Sequence, residues 1–251
     1  MKSIDEFEQF EETLAQYAPD CIVTVGYDHA VSRGAEMVRD MLLKRFIGQV
    51  ITFDVEFRET WKGIFAAHLW LDGPKDSYLG YWRRGGGAGC EHSHALHLWL
   101  YFAQVLGMET TEAIDAQVLF DMKNDGVVEY DQIVFFNMRT ENGIIGRVVQ
   151  DVVTDPPKKT VRFQGTIGFI EWNISGSPDG DIIRYGAGDV IQVMKIQKTR
   201  RDDFHEEMLH YDQLLRGEIM PQKSPLSLTL GVEVMRILCE AYSMVAEMEE
   251  A

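Results

Sequence analysis

Between residues 4 and 17 the apolar positions Phe7, Phe10 and Leu14 recur at helical spacing, which predicts an amphipathic helix, with Ser3 and Glu6 as a capping box at its start. A short apolar run, CIVTVGY, follows and predicts a buried strand over residues 22–27 of the kind found in parallel sheets. A second helix is predicted from Ser32 to Phe46. From Ile51 the period changes: Ile51, Phe53, Val55 and Phe57 alternate with polar residues, as in a strand with one solvated or partner-covered face. Residues 61–84 lack a clear period and hold Trp61, Trp70, Tyr78, Tyr81 and Trp82, the pattern of an ordered loop lining something. The glycine cluster after it is predicted to open a helix running to about Gly107. Strand-like runs then occupy 116–121, 128–139, 144–153, 160–165, 168–173, 182–186 and 190–197, separated by turn signals such as ENG at 141–143, DPPKK at 155–159 and GSPDGD at 176–181. Two helices close the chain. Phe204, Met208, Tyr211 and Leu215 form an apolar stripe on the first, and Ser224 with Pro225 marks the start of the second, which continues towards Met248. The expected class is α+β: a large, mostly antiparallel open sheet with helices on one face, preceded by a helix-strand-helix segment. An apolar uncovered face favours a second subunit there.

Composition narrows the partners. Forty acidic against 24 basic residues give a net charge of −16, which repels phosphate backbones and anionic membranes, so nucleic acid and membrane are excluded and small molecules or other proteins are expected. Hydrophobic content of 45% is ample for a core. Cys21, Cys90 and Cys239 are far apart with no C-x-x-C pair, which argues against a disulfide framework or a zinc ribbon and for a reducing cytoplasm. No apolar leader or membrane-length run is present in the sequence.

The densest chemistry is RRGGGAGCEHSHALHLW, residues 83–99. Glu91, His94 and His97 are spaced i, i+3, so on one helix they project from one face, whereas His92 points elsewhere. A histidine near neutral pKa can take a proton from a hydroxyl, and a carboxylate beside it can orient the ring. The same three residues can bind zinc or iron, or the histidines can cap the helix start and bond to backbone. Arg83 and Arg84 can hold a carboxylate or phosphate in bidentate fashion, or pair with surface acids. Trp61, Trp70 and Trp82 can stack on sugar faces or pack in a core. Cys90 beside the cluster is either an activated thiol or a buried structural one.

The order of motifs resembles the Gfo/Idh/MocA family of sugar oxidoreductases: the strand ending VTVGY, IG at 47–48 before a long strand, GGG followed by an acid and histidines, NGIIGRVVQDVV at 142–153 and GTIGFIEW at 165–172. The resemblance implies that residues 48–251 form the family's C-terminal substrate-binding and dimerisation domain. Residues 1–47 correspond to the last elements of its N-terminal Rossmann domain and a linking helix. It implies NAD(P) as cofactor, a sugar or sugar-derivative substrate, and a homo-oligomer through the open sheet face. Catalytic roles pass to His94, Glu91 and His97, and substrate contacts to Arg83, Arg84, Tyr27, His92 and Trp82. Counting from the glycine triplet puts Glu91 at the family's acid, whereas counting back from Gly107 puts His97 at its histidine and Ser93 at the acid. No G-x-G-x-x-G joins an early strand to a helix, and GGGAGC, one residue short of it, reads as the family's glycine triplet. The chain is therefore expected to bind no cofactor alone and to be inactive alone, working with a separate Rossmann-domain protein. The alternative is a noncatalytic sugar-binding or scaffolding protein on the same fold.

Overall fold

The computed structural model describes residues 4–18, 20–107 and 115–250. Eight strands, β1 (Val50–Arg58), β2 (Asp115–Asn124), β3 (Glu129–Arg139), β4 (Ile145–Asp151), β5 (Lys158–Gly165), β6 (Phe169–Ser177), β7 (Gly180–Ala187) and β8 (Val190–Gln197), form one sheet. Their order is β2-β3-β4-β1-β5-β6-β7-β8, and only β1 and β4 run parallel. The antiparallel meander expected beyond residue 116 is thus split by β1. Its inner residues Phe53, Val55 and Phe57 are buried, and Val55 stands in register with Val148 on one side and Val161 on the other. A strand with so apolar an inner face is favoured at the sheet's centre, where both edges are paired.

Seven helices are described: α1 (Ile4–Tyr17), α2 (Arg33–Leu43), α3 (Lys62–Ala67), α4 (Gly87–Glu91), α5 (His94–Val105), α6 (Arg200–Leu215) and α7 (Leu228–Glu250). Helix α5 is apolar on most of its surface, so it is buried nearly all round: every residue from Ala95 to Ala103 is buried, packed against β1 and β4 and against α2 and α7. Phe53 stacks between Trp99 at 4.8 Å and Phe163 at 5.0 Å. Helix α2 approaches the sheet closely at Gly34, where a Cβ would lie 2.5 Å from the Trp172 indole. Tyr27, Ala35, Val38 and Leu42 belong to the same continuous core as the sheet, so the expected boundary at 47/48 runs through packed structure.

Several expectations are corrected. Residues 22–27 do not make a sheet strand: apart from buried Tyr27 they are partly or fully exposed, and what they form is one bridge, Thr24 to Ser227, with the Val25 N–H donating to the Leu226 carbonyl, both in the chain just before α7. Helix α7 starts at Leu228, not at Ser224, since Oγ of Ser224 already accepts from the Leu226 N–H and meets Nε2 of His210. Three of the four residues of the predicted stripe of α6 face outward, and the fourth, Tyr211, is half-buried against the core. Phe204, Met208 and Leu215 are exposed, while Asp203, Glu207, His210 and Leu214 are buried. The buried polar groups all have partners: Lys198 for Asp203, Tyr211 for Glu207, Ser224 for His210, which removes the penalty that would otherwise turn that face to water. The uncovered sheet face carries the ion pairs Asp54–Arg147, Glu56–Lys158 and Arg162–Glu171 among exposed Leu119, Phe135 and Ile145, so it is more charged than the strand pattern suggests. The predicted cap at Ser3 lies outside the described residues. No helix among them is long and apolar enough to cross a membrane.

Candidate active site

The glycine cluster does not open one continuous helix. Helix α4 stops at Glu91, the chain bends at His92 and Ser93, and α5 begins at His94. The bend separates the three residues expected on one face. Glu91 turns towards the loop, where its Oε2 accepts from the Tyr78 hydroxyl at 2.8 Å. His92 is fixed by its Nε2 contact with the Glu59 carbonyl at 3.2 Å. His94 and His97 do share a face, and Tyr27 lies against both: its ring is stacked on His97 at 3.9 Å and edge-on to His94 at 5.2 Å.

The carboxylate beside His94 is Asp28, 3.6 Å from Nδ1, and not Glu91. Asp28 and His29 sit on a 3-10 turn, Asp28–Val31, immediately before Ser32 caps α2 by accepting from the Ala35 N–H. Arg200 at the start of α6 donates through Nη1 to the outer oxygen of Asp28. Phe57 lies parallel to the His94 ring at 6.2 Å, and Lys159, paired with Glu59 at 2.6 Å, completes the surroundings from β5. Lys159 stands in register with Phe57 and Ile174, a single cation in an apolar row of the inner face.

All four histidines here are held neutral. Burial drives His97 down to about 3 against the pull of the Pro225 carbonyl, which Nε2 meets at 2.8 Å. Burial takes His94 to about 4; Asp28 raises it, and Lys159, His92 and Arg200 push it lower. Burial and the fields of His94, Lys159, Lys198 and Arg200 hold His29 well below the usual imidazole range, and burial lowers His92 as well. Burial lifts the Tyr27 phenol to about 12. His97 is 1% exposed with its Nε2 engaged, whereas the His94 side chain is 29% exposed, so of these two only His94 meets solvent.

The other sequence candidates are placed elsewhere. Trp82 is buried with one face on Tyr242 at 5.3 Å and the other under the Arg83 guanidinium at 4.2 Å, so neither face is open for a sugar. Arg84 lies over Tyr81 at 4.4 Å. Cys90 is a half-buried thiol raised to about 12 by desolvation, the opposite of activation.

Gly86, Gly87 and Gly89 are packing devices. Gly87 has φ +85°, and a Cβ there would fall 1.9 Å from Oδ1 of Asp131; one on Gly86 would fall 2.2 Å from the Tyr78 carbonyl, and one on Gly89 2.5 Å from the Tyr242 hydroxyl. The Gly89 N–H donates to Asp131 at 2.6 Å. The helix start that would cradle a pyrophosphate is already filled by the protein's own carboxylate, so these residues do not fit a dinucleotide.

The pairing of Asp28 with His94 and with Arg200 was not legible in the sequence, since Arg200 is 172 residues from Asp28.

No family model matches the sequence, and no curated protein matches it. Solved structures do match its fold. A 3-ketoreductase from Actinomadura kijaniata in complex with NADP and TDP-benzene has TM-score 0.71 at 12% identity, covering 96% of this chain and 67% of its own. An aldose-aldose oxidoreductase from Caulobacter crescentus complexed with glycerol has TM-score 0.73 at 14% identity, covering 98% and 67%. An inositol dehydrogenase homolog from Azotobacter vinelandii complexed with NAD+ has TM-score 0.67 at 16% identity, covering 96% and 68%. These are oxidoreductases of the Gfo/Idh/MocA type, and what the chain shares with them is the fold. It spans about two thirds of their length.

Proposed function

We propose that this chain binds the sugar or sugar-derivative substrate of an NAD(P)-dependent oxidoreductase and presents His94 to the hydroxyl that is oxidised. The observation that carries the reading is the half-exposed His94 set beside buried Asp28 in the fold shared with sugar oxidoreductases. A neutral imidazole has a lone pair for the hydroxyl proton, and Asp28, fixed by Arg200 and by the His29 N–H at 2.9 Å, stabilises the charge that follows. The 3.6 Å gap between them is longer than a hydrogen bond, as is common before substrate tightens a site.

The dinucleotide is assigned to a Rossmann-type unit other than the residues described, because the glycine triplet is packed against Asp131. Oligomerisation through the open sheet face belongs to the same proposal. Exposed Leu119, Phe135 and Ile145 support it, and sedimentation velocity measures it.

Calorimetric titration of the 251-residue chain tests the division of labour. Binding of an aldose or inositol that weakens in His94→Ala, with no micromolar binding of NAD(P)H, is expected. Micromolar nucleotide binding overturns the assignment of the cofactor; failure of a panel of sugars and sugar acids to bind overturns the substrate reading and favours a scaffold.

A further inference from the structure

Three ligand-type atoms converge where the sequence offered a different set. Oδ1 of Asp28, Nδ1 of His29 and Nδ1 of His94 can all be brought to one point: the group's ligand atoms lie within 4.8 Å of one another. Oδ1 is 3.6 Å from Nδ1 of His94 and 3.9 Å from Nδ1 of His29. Both separations are too long for hydrogen bonds. Two ligands of one tetrahedral zinc ion, each about 2.0–2.1 Å from the metal, stand about 3.3 Å apart, so the two pairs that involve Asp28 must close by roughly 0.3 and 0.6 Å and the two histidine nitrogens, within 4.8 Å of each other, by up to about 1.5 Å.

The two nitrogens have no hydrogen-bond partner. Nδ1 of His29 and Nδ1 of His94 are buried and accept or donate no hydrogen bond, and His29 is 6% exposed. A buried polar atom left without a partner costs about 1–3 kcal/mol, which a bound cation would relieve at both nitrogens together. The remaining oxygen of Asp28 is held by Arg200, so the carboxylate is aimed before any ion arrives, as outer partners do for metal ligands.

From this geometry we infer that Asp28, His29 and His94 form a site for one divalent transition-metal ion, with Zn2+ the best match, and with a coordination position left for water or a substrate oxygen. The surroundings decide the class of ion. Lys159, Lys198 and Arg200 lie near enough to oppose added positive charge, although each is paired with acids: Glu59 at 2.6 Å, Asp203 at 2.6 Å and Asp28 respectively. Mg2+ and Ca2+ depend on several charged oxygens and find one here, whereas zinc gains most of its affinity from imidazole nitrogens. Entry is past His94, the exposed member of the three.

This site goes beyond the sugar reading and makes the opposite use of the same imidazole. A metal on Nδ1 leaves the ring hydrogen on the other nitrogen, so the zinc-loaded chain has no lone pair there to accept a hydroxyl proton, and zinc inhibits any oxidation that depends on His94.

Calorimetry of the chelator-treated chain with Zn2+, and the absorption spectrum with Co2+, test the site. One equivalent of Zn2+ per chain is expected, with visible Co2+ bands of a nitrogen and oxygen ligand set. His29→Ala and Asp28→Asn should each weaken binding about 100-fold, as losing a ligand costs at least what losing an outer partner does. His68→Ala and His205→Ala, at exposed histidines elsewhere, should leave it unchanged. If a ligand variant folds poorly, the wild type still decides: Zn2+ should raise its unfolding temperature, and Mg2+ should not. Absence of stoichiometric Zn2+ binding by wild type, or binding that persists in the His29→Ala/His94→Ala pair, overturns the site. Sugar binding measured in chelator is independent of both outcomes, so the two readings fail separately.

Discussion

Tyr242 on α7 donates its hydroxyl to Oδ1 of Asp131 on β3 across 2.6 Å, and the Gly89 N–H donates to the other oxygen across 2.6 Å. Burial raises this carboxyl from 3.8 to about 7 even though all these donors favour the charged form. The folded chain therefore holds a proton between about pH 4 and 7 that the unfolded chain releases. Asp131 contributes stability below that window and loses it as pH rises, by about 1.4 kcal/mol per pH unit, with no further change above pH 7. The buried histidines have the opposite sign, since their lowered pKa values cost stability as pH falls below about 6.5. Urea unfolding of wild type and Asp131→Asn across pH 4–8 isolates the carboxyl: the difference between the two curves should slope through this window and be flat above it. A difference curve without slope would contradict the buried, proton-holding state.

The glycines before α4 are not equivalent. Gly85 and Gly87 have φ of +87° and +85°, but a Cβ on Gly85 meets open space, whereas one on Gly87 meets Asp131. Gly85→Ala should cost about 1–2 kcal/mol of backbone strain. Gly87→Ala should cost several kcal/mol more or prevent folding, because it also displaces the carboxylate that ties α4 to α7. Thermal unfolding of the two variants checks this, and equal losses would show the triplet to be an open turn.

Helix α6 offers a direct contest between pattern and packing. Phe204→Ser and Met208→Ser remove members of the apolar stripe yet should change stability by less than about 0.5 kcal/mol each, as exposed positions do. Leu214→Ala, at a residue 2% exposed, should cost about 2–5 kcal/mol. The reverse ranking in chemical denaturation would mean that the helix is rotated from the orientation described.

In the proposed site His97 holds structure and His94 meets the substrate. His97→Phe keeps a ring against Tyr27 but strips the Pro225 carbonyl of its donor, an expected loss of about 1–3 kcal/mol. Tyr27→Phe removes only a 3.4 Å contact with Oγ of Ser93 and should cost less than about 1 kcal/mol. Neither should abolish sugar binding, whereas His94→Ala should; loss of sugar affinity in His97→Phe at full stability would return His97 to the site.

Much of the fold was legible because the information is local. Strands β1 to β8 each carry their own alternation or apolar run, and the turn residues between them set their ends within a few positions. The site was legible only in part. His94 was found by the density of the cluster, but the partner assigned to it, Glu91, assumed a helix that continues through Ser93. The chain bends there, and a single sequence carries no signal for a bend set by the grip of the Glu59 carbonyl on His92.

What the sequence determined alone was the periodicity of each segment, hence the α+β class and the presence of a histidine-rich turn at a helix start. What only the tertiary structure decided was which groups meet: Asp28 with His94 across 66 residues, Asp131 inside the glycine triplet, and polar residues buried on α6 while most of its apolar stripe faces out. The physical reason is that apolar period records the burial preference of one element, whereas a buried polar group is stabilised by whichever distant partner satisfies it, and that partner is chosen by the packing of the whole chain.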